Sequence, residues 1–249
     1  MNVITCLRRI NSSFPPKFQL VKRVSSKPLN KDENVSQPFH LTNDLPDYLT
    51  ICDKLRDEPK EVLNLMKSMV VHYNFLNEDE EKSLMDELDP YMKKLRYEFD
   101  HWDDAIHGYR ETERLKWDEE NTRILDRVRC IAFPSNVAPL KHVHILDLDK
   151  NGWIKPHIDA VRFCGDTIAG LSLLTDSIMR LVHDKNKDWY AHIYLKRRSL
   201  YIMKGTARFD YTHEILSNEH SVFKGNKVFK DRRISVICRN EPSAEHAES

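Results

Sequence analysis

Glycine is scarce in this sequence, and none of it lies in the N-terminal part. The 249 residues include six glycines, where average usage would give about 17. All six follow residue 107, and neither GxGxxG nor GxxxxGK[ST] occurs anywhere. The sequence therefore excludes the glycine-rich loops that commonly hold nucleotide phosphates.

Long apolar runs and paired cysteines are also missing. No stretch approaches the roughly 18 apolar residues of a membrane-spanning helix, and the longest runs, such as residues 168–174, suit a buried strand. We therefore expect no membrane span. The five cysteines are scattered and never spaced CxxC, which is typical of reduced thiols and not of a disulfide framework or a zinc ribbon.

Charge is balanced overall but not along the chain. The 39 Lys and Arg against 39 Asp and Glu give a formal net charge of zero, which argues against a generally basic nucleic-acid binder. Residues 1–31 hold seven basic and no acidic side chains, so residues 32–249 carry a formal charge of −7. A basic, acid-free, serine-containing N-terminus predicts a mitochondrial transit peptide over residues 1–26. The alternative is a basic arm that binds RNA or lipid.

One domain is predicted between the leader and a polar tail. Residues 27–46 are polar and contain prolines, which indicates a linker, and residues 240–249 form the tail. The domain then covers residues 47–239. Within it, residues 97–113 form an aromatic and acidic block without a clean period.

The first part of this domain predicts helices over residues 47–70, 77–96 and 118–131. The second helix has the clearest pattern, because Asn77 is a plausible N-cap with Glu80 at the N3 position. From about residue 142 onward, short β-prone runs follow one another between turn residues, and residues 149–152 predict a hairpin turn between the first two. The layout predicts an α+β fold, in which a sandwich or jelly roll is supported by an N-terminal helical layer. The runs are HVHILDLD, WIKPHID, TIAGLSLL, IMRLVH, YAHIYL, SLYIM, ARFDYTHEI and RISVICR.

His157 and Asp159, in the segment HID, are candidate metal ligands. Side chains at i and i+2 of a strand point to one face, so the imidazole and the carboxylate can converge on one ion. A facial triad needs one more histidine and leaves coordination positions open. His213 is the best placed, because it ends an alternating run over residues 207–213. The downstream alternatives are His183, His192 and His220.

The same H-x-D spacing occurs a second time, at His101 and Asp103. This pair lies in the irregular aromatic block with no strand around it. We interpret it as a chance occurrence or as residues close to the substrate.

Two arginines on one strand face point to an acidic ligand. By parity, Arg233, Ser235, Ile237 and Arg239 share one face of the strand RISVICR. The Cα atoms of the two arginines should be about 20 Å apart, so together they could hold the two ends of a short dicarboxylate. In the alternative, both arginines lie at solvent-facing ends of the strand. If they are buried instead, each guanidinium needs a partner.

The order His-x-Asp, His and Arg-x5-Arg resembles the AlkB family of Fe(II)/2-oxoglutarate-dependent dioxygenases over roughly residues 70–240. Further segments are similar to the mitochondrial members of that family. The resemblance implies a double-stranded β-helix (jelly roll) with Fe(II) bound by His157, Asp159 and His213, and with 2-oxoglutarate and O2 as cosubstrates. The similar segments are YEFDHWDDAIHGYRETE, WIKPHID, FCGDTIAGLSLL, SLYIMKGTARFDYTHEI and RRISVICR.

The resemblance also implies roles for residues toward 2-oxoglutarate. Tyr201 would donate its hydroxyl, Arg233 with the stretch Ile234–Ser235 would hold one carboxylate, and Arg239 would hold the other end. The wider family pattern is Arg-x-Asn-x-Thr-x-Arg, in which this sequence has a serine and an isoleucine at the two middle positions. This departure argues against demethylation of nucleic-acid bases but not against cosubstrate binding.

For the substrate, the formal charge of −7 disfavours long-range attraction to phosphate, although a local basic patch at residues 195–199 exists. We therefore expect hydroxylation of a protein or a small molecule. We also expect the protein to be a monomer. The resemblance implies a mitochondrial matrix location and a link to fatty acid metabolism and programmed necrosis. One alternative is demethylation of methylated mitochondrial RNA, and another is a metal- and 2-oxoglutarate-binding regulator with little external turnover.

Overall fold

Strands predominate in the computed structural model, which describes residues 45–99 and 105–242. All described residues belong to one structural unit, residues 39–249. The predicted leader, almost all of the predicted linker, the His101/Asp103 pair and most of the tail lie outside the described residues. No described helix is long and apolar enough to cross a membrane.

The described chain begins with short helices and strands and continues mainly as strands. In chain order the elements are β1 (Leu49–Ile51), α1 (Asp53–Arg56), α2 (Pro59–Ser68), β2 (Met69–His72), α3 (Glu78–Met92), β3 (Ile106–Arg114), α4 (Glu119–Ala132), β4 (Val143–His157), β5 (Thr167–Leu173), β6 (Ser177–His183), β7 (Tyr190–Leu195), β8 (Ser199–Lys204), α5 (Gly205–Phe209), β9 (Tyr211–Ile215), β10 (Val222–Phe223), β11 (Asn226–Lys227) and β12 (Arg233–Arg239).

Two of the three predicted helices are confirmed, with small changes at their ends. The helix predicted over residues 77–96 is α3, in which the Asn77 side chain accepts from the Glu80 amide and the Glu80 side chain accepts from the Asn77 amide. The helix predicted over residues 118–131 is α4, which Asp118 caps in the same way through the Asn121 amide.

The single helix predicted over residues 47–70 is wrong. Residues 49–51 within it form β1, which pairs with β7 at the edge of the main sheet, and its last two begin β2, which pairs with β8. Only α1 and α2 between them are helical. Pro59 stands at the first position of α2, where its fixed φ and missing N–H are tolerated, so the helix starts anew there.

Within the described residues, ten antiparallel strands form one curled sheet in the order β1-β7-β6-β9-β4-β12-β5-β8-β2, with β3 paired to β4. This is the predicted jelly roll. Side chains alternate between its two faces: Leu200 and Ile202 pack with residues of α3 and α4, whereas Tyr201 between them faces the other core cluster and an internal cavity. The cavity side of the sheet holds the candidate site.

The hairpin turn predicted at residues 149–152 is wrong, because β4 runs through it as one continuous strand. The register of β3 against β4 shifts between His107 and Tyr109 instead. Gly108 adopts φ 65° at this bulge, and a Cβ on Gly152 would lie 2.5 Å from the Gly108 carbonyl oxygen. The turn-like residues therefore form part of a β-bulge, at which the backbones of β3 and β4 approach each other closely.

The alternating strand predicted to lead up to His213 is also partly wrong. Ala207 and Phe209 lie in the short helix α5, which starts at Gly205 (φ 48°), and the strand β9 begins only at Tyr211. His213 nevertheless lies in the middle of a strand.

Candidate metal centre and adjoining cavity

Three side chains meet where β4 ends beside β9. His157 and His213 are directly paired in the antiparallel register, with ring centroids 4.2 Å apart, and Asp159 follows two residues after β4. One ligand atom from each of the three lies within 4.8 Å of the others. The Nε2 atom of His157 is 3.4 Å from Oδ1 of Asp159. The structure therefore brings together the three residues predicted from the sequence.

The electrostatic state of this cluster suits a divalent cation. Burial, reinforced by His157, lowers the pKa of His213 to about 4, so its imidazole is neutral at physiological pH. Burial alone would raise the pKa of Asp159, but the hydrogen bond with His157 and the nearby His213 and Arg208 lower it overall. The cluster thus offers the neutral imidazole of His213 and the ionised carboxylate of Asp159.

The residues present fit iron. Nδ1 of His213 is buried and has no hydrogen-bond partner among the described residues, which is costly unless a ligand is bound nearby. Two imidazoles and one carboxylate form the donor set of the facial triad that binds non-haem Fe(II) and leaves positions open for other ligands.

The cluster opens into a cavity of about 120 Å³ enclosed by the curled sheet. All four residues predicted to share one face of β12 line it, as does Tyr201 from β8; the β12 residues are Arg233, Ser235, Ile237 and Arg239. The predicted cosubstrate residue Ile234 is different, because its side chain is buried on the opposite face among residues of α3 and α4. The structure does not bring that side chain to the cavity.

Arg233 is completely buried and lacks a carboxylate partner among the described residues. Its Nη1 donates to Oγ of Ser235 at 2.6 Å, whereas Nε and Nη2 have no hydrogen-bond partner there. Burial lowers the pKa of this guanidinium. Because a buried unpaired charge is unfavourable, the site is built to receive an anion.

Arg239 and Tyr201 complete the polar lining. Nη2 of Arg239 donates to Oε1 of Glu113 at 3.0 Å, while its buried Nε has no partner in the described part of the chain. Burial raises the pKa of Tyr201 to about 12, with Arg233 acting in the opposite direction. The Tyr201 hydroxyl therefore keeps its proton and can donate a hydrogen bond to a carboxylate.

The other downstream histidines lie apart from this cluster. Nδ1 of His183 accepts backbone N–H groups of the β6–β7 loop, and His192 lies in β7 beside Tyr190. His220 follows β9 in a turn. None of the three joins the group of potential ligands found among the described residues.

Sequence reasoning missed Arg208, which follows Ala207 in α5. This arginine is fully buried, and its Nη2 donates to Sγ of Cys164 at 3.2 Å. Its charge also contributes to the low pKa of Asp159. The strand predicted over residues 207–213 would place Arg208 on the face opposite His213, whereas the structure has it in α5.

Comparisons with known proteins agree with this geometry. The chain is 48% identical over 195 residues to the mouse "Alpha-ketoglutarate-dependent dioxygenase alkB homolog 7, mitochondrial", which covers 78% of this chain and 88% of that protein. It is 49% identical over 178 residues to the protein of the same name from cattle, with coverage of 72% and 80%. No family model matches the chain.

Solved structures with the same fold include "The structure of OsALKBH1" and a prolyl-4-hydroxylase from Pseudomonas putida. Each has a TM-score of 0.51 and 12% sequence identity; they cover 69% and 71% of this chain, and 97% and 94% of those chains. These likenesses concern the fold alone and confirm the jelly roll.

Proposed function

Because the chain belongs to the family of the mitochondrial alkB homolog 7 α-ketoglutarate-dependent dioxygenases, we propose that His157, Asp159 and His213 bind Fe(II) and that the enzyme hydroxylates a protein or a small molecule. Family membership implies 2-oxoglutarate and O2 as cosubstrates, and the relatives' names agree with the predicted mitochondrial location. The observation that carries the proposal is the opening of the metal-ligand cluster into a cavity lined by two arginines.

At neutral pH the His213 imidazole is neutral and the Asp159 carboxylate is ionised, so both can bind a cation without first losing a proton. Bound iron would supply the oxidative chemistry, in which decarboxylation of 2-oxoglutarate is coupled to hydroxylation of a C–H bond. The pairing of β4 with β9 fixes His157 beside His213.

For 2-oxoglutarate, we propose that Arg233 holds one carboxylate together with the hydroxyls of Ser235 and Tyr201. Arg239 would hold the other end of the molecule. An arginine can bind a carboxylate through two parallel hydrogen bonds, and both guanidiniums have N–H groups without partners among the described residues. The Ile234 side chain is not part of this proposed site.

Size and charge favour a protein or a small molecule as the substrate. The cavity of about 120 Å³ is small beside typical ligand sites of about 300–1,000 Å³. It would be largely filled by the cosubstrate, so the substrate would bind at its mouth. There Glu113 pairs with Arg239 and Glu111 pairs with His144, both acids being partly exposed. Because Glu113 already pairs with Arg239, this arginine offers little attraction to a polyanionic backbone.

The proposal extends to a role in fatty acid metabolism and in programmed necrosis, which the family resemblance implies. A small acyl compound or a matrix protein would both suit a cavity whose interior is partly apolar. Its lining includes Ile106, Ile154 and Ile168.

One observation favours demethylation of methylated RNA as the alternative. His107 and Trp153 are stacked with centroids 5.7 Å apart, and the ammonium group of Lys155 lies 5.7 Å from the Trp153 ring centroid. These residues flank Ile106 and Ile154, which line the cavity. Aromatic rings beside a cation can stack an unpaired base and contact a phosphate.

The test is to supply the purified protein with Fe(II), ascorbate and 2-oxoglutarate and to measure succinate. Mass spectrometry of matrix proteins, acyl compounds and methylated RNA would then show which class gains an oxygen atom or loses a methyl group. We expect succinate from the wild type and none from His157→Ala. Succinate formation without change in any of these substrates would support the regulator instead. If the wild type forms no succinate, the enzyme proposal is contradicted.

A further inference from the structure

A row of cavity-facing residues crosses the sheet beneath the proposed cosubstrate site. Tyr201 of β8 is the register partner of Gly170 in β5, and Gly170 is in turn the partner of Ile237 in β12. Tyr201 and Ile237 line the cavity. Gly170 is therefore the one member of this row without a side chain.

The Tyr201 ring occupies the space that a side chain at position 170 would need. A Cβ atom built on Gly170 would lie 2.5 Å from the Tyr201 hydroxyl oxygen and still closer to two of its ring carbons. Such contacts are far inside van der Waals distance. Even an alanine at this position would therefore displace the ring.

This contact shows which way the ring leans. The order β12-β5-β8-β2 places Gly170 between the strand of Tyr201 and the strand of Arg233 and Arg239. A ring that lies over Gly170 is directed toward β12 and away from its other neighbour, β2. The hydroxyl is thereby carried toward the two guanidiniums.

The ring has little freedom to move elsewhere. Tyr201 is 5% exposed, and its neighbours in the same core cluster include Ile168 and Met203. Glycine inside a buried strand is unfavourable by itself and is found where another group must approach closely. Here the approaching group is the Tyr201 ring.

We propose that Gly170 is a positioning residue for the cosubstrate, because the missing side chain lets the Tyr201 hydroxyl reach the carboxylate held by Arg233. This inference rests on the proposed function, in which Tyr201 donates to 2-oxoglutarate. Gly170 itself does not touch the cosubstrate and acts through the ring alone.

A double-mutant cycle tests this role. The dissociation constant of 2-oxoglutarate is measured by calorimetry on the full chain loaded with Mn(II), for the wild type, Gly170→Ala, Tyr201→Ala and the double variant. We expect Gly170→Ala to weaken 2-oxoglutarate binding roughly tenfold, the effect of losing one hydrogen bond to a charged group. In the Tyr201→Ala background the same change should have no further effect. Mn(II) affinity should be unchanged throughout.

Ala169→Gly is the matched control. Ala169 is buried in the same strand but faces the opposite side of the sheet, so its replacement loosens β5 without changing the cavity. We expect a lower melting temperature with unchanged 2-oxoglutarate binding. If this control weakens binding as much as Gly170→Ala does, the positioning role is wrong.

The remaining outcomes separate the inference from the proposal on which it rests. Equal weakening by Gly170→Ala in both backgrounds, or none in either, would refute the role of Gly170 while 2-oxoglutarate binding stands. A wild type that binds Mn(II) but not 2-oxoglutarate would overturn the proposed function and this inference with it. If Gly170→Ala does not fold, we expect the double variant with Tyr201→Ala to fold, because the Tyr201 ring that clashes with the new side chain is then absent. If neither variant folds, the role of Gly170 is also refuted.

Discussion

Nη2 of Arg239 lies 3.0 Å from Oε1 of Glu113, so this arginine at the rim of the cavity is already paired with a carboxylate of the protein. Arg233, deeper in the same cavity, has no carboxylate partner among the described residues. When an anion binds, Arg239 therefore exchanges its ion pair with Glu113 for a new one, whereas Arg233 gains its first counter-ion.

The Glu113 carboxylate should compete with the cosubstrate for Arg239. Glu113→Gln removes the competing charge, and we expect the apparent dissociation constant of 2-oxoglutarate to fall by up to about fivefold, since exposed ion pairs contribute about 0.2–1 kcal/mol. Titration calorimetry at low and high salt would measure it. Glu111→Gln, which breaks the contact with His144 instead, is the control. Weaker binding by Glu113→Gln would contradict the competition.

Arg233 should reduce stability while it serves binding. Arg233→Met removes a buried charge that lacks a counter-ion, and we expect the free energy of unfolding to rise by about 1–2 kcal/mol. Binding of 2-oxoglutarate should weaken at least about thirtyfold, because truncating a buried charged contact costs 2 kcal/mol or more. Denaturant titration and calorimetry would measure the two effects.

The adjacent residue provides a matched control with the opposite result. Arg232 donates to Asp147 and forms an ion pair with Asp89, each at 2.8 Å, and Asp147 is fully buried. Arg232→Met should therefore lower the free energy of unfolding by about 3 kcal/mol and leave 2-oxoglutarate binding unchanged. A loss of stability in both variants would show that Arg233 is a structural residue.

Removal of one metal ligand should abolish metal binding while the fold is kept. For His157→Ala we expect the affinity for Fe(II) or Co(II) to fall by more than the roughly 10- to 100-fold cost of losing an outer-shell partner. Elemental analysis after dialysis would measure the bound metal. His192→Gln, a half-buried histidine outside the cluster, should retain it. Unchanged metal content in His157→Ala would refute the assignment.

The buried Lys230 should make stability rise with pH in the alkaline range. Its ammonium group donates to the carbonyls of Asp149 and Lys150 at the β4 bulge, and burial lowers its pKa from 10.5 to about 8. Between pH 8 and 10.5 the folded state thus binds fewer protons than the unfolded state, so the free energy of unfolding increases with pH.

Denaturant titrations of the wild type and Lys230→Met across this range would check the effect. As the pH rises from 8 to 10.5, the free energy of unfolding of the wild type should increase relative to that of Lys230→Met. Lys227→Met, at an exposed position of the neighbouring hairpin, is the control for replacing a lysine by methionine. A flat difference for Lys230→Met would contradict the expectation.

Local rules were sufficient where one strand or one helix decides the outcome. The capping pair Asn77 and Glu80 defines the start of α3, and two-residue parity places Arg233 and Arg239 on one face of β12. The same parity separates Tyr201 from its apolar neighbours Leu200 and Ile202. These features depend on residues a few positions apart, which a single sequence displays directly.

Features that depend on distant partners were missed. Residues 49–51 form a strand because β7 offers an edge, and residues 149–152 continue a strand because β3 carries the matching bulge at Gly108. The role of Gly170 depends on the ring of Tyr201 from another strand. No local pattern contains these partners, so propensity alone favoured a helix and a turn.

The pairing of His157 with His213 joins two strands that are far apart in the sequence. An unfolded chain has no such site, so any ion that binds it is thermodynamically linked to the folded sheet. A bound cation would therefore raise the free energy of unfolding, by an amount that grows with its free concentration.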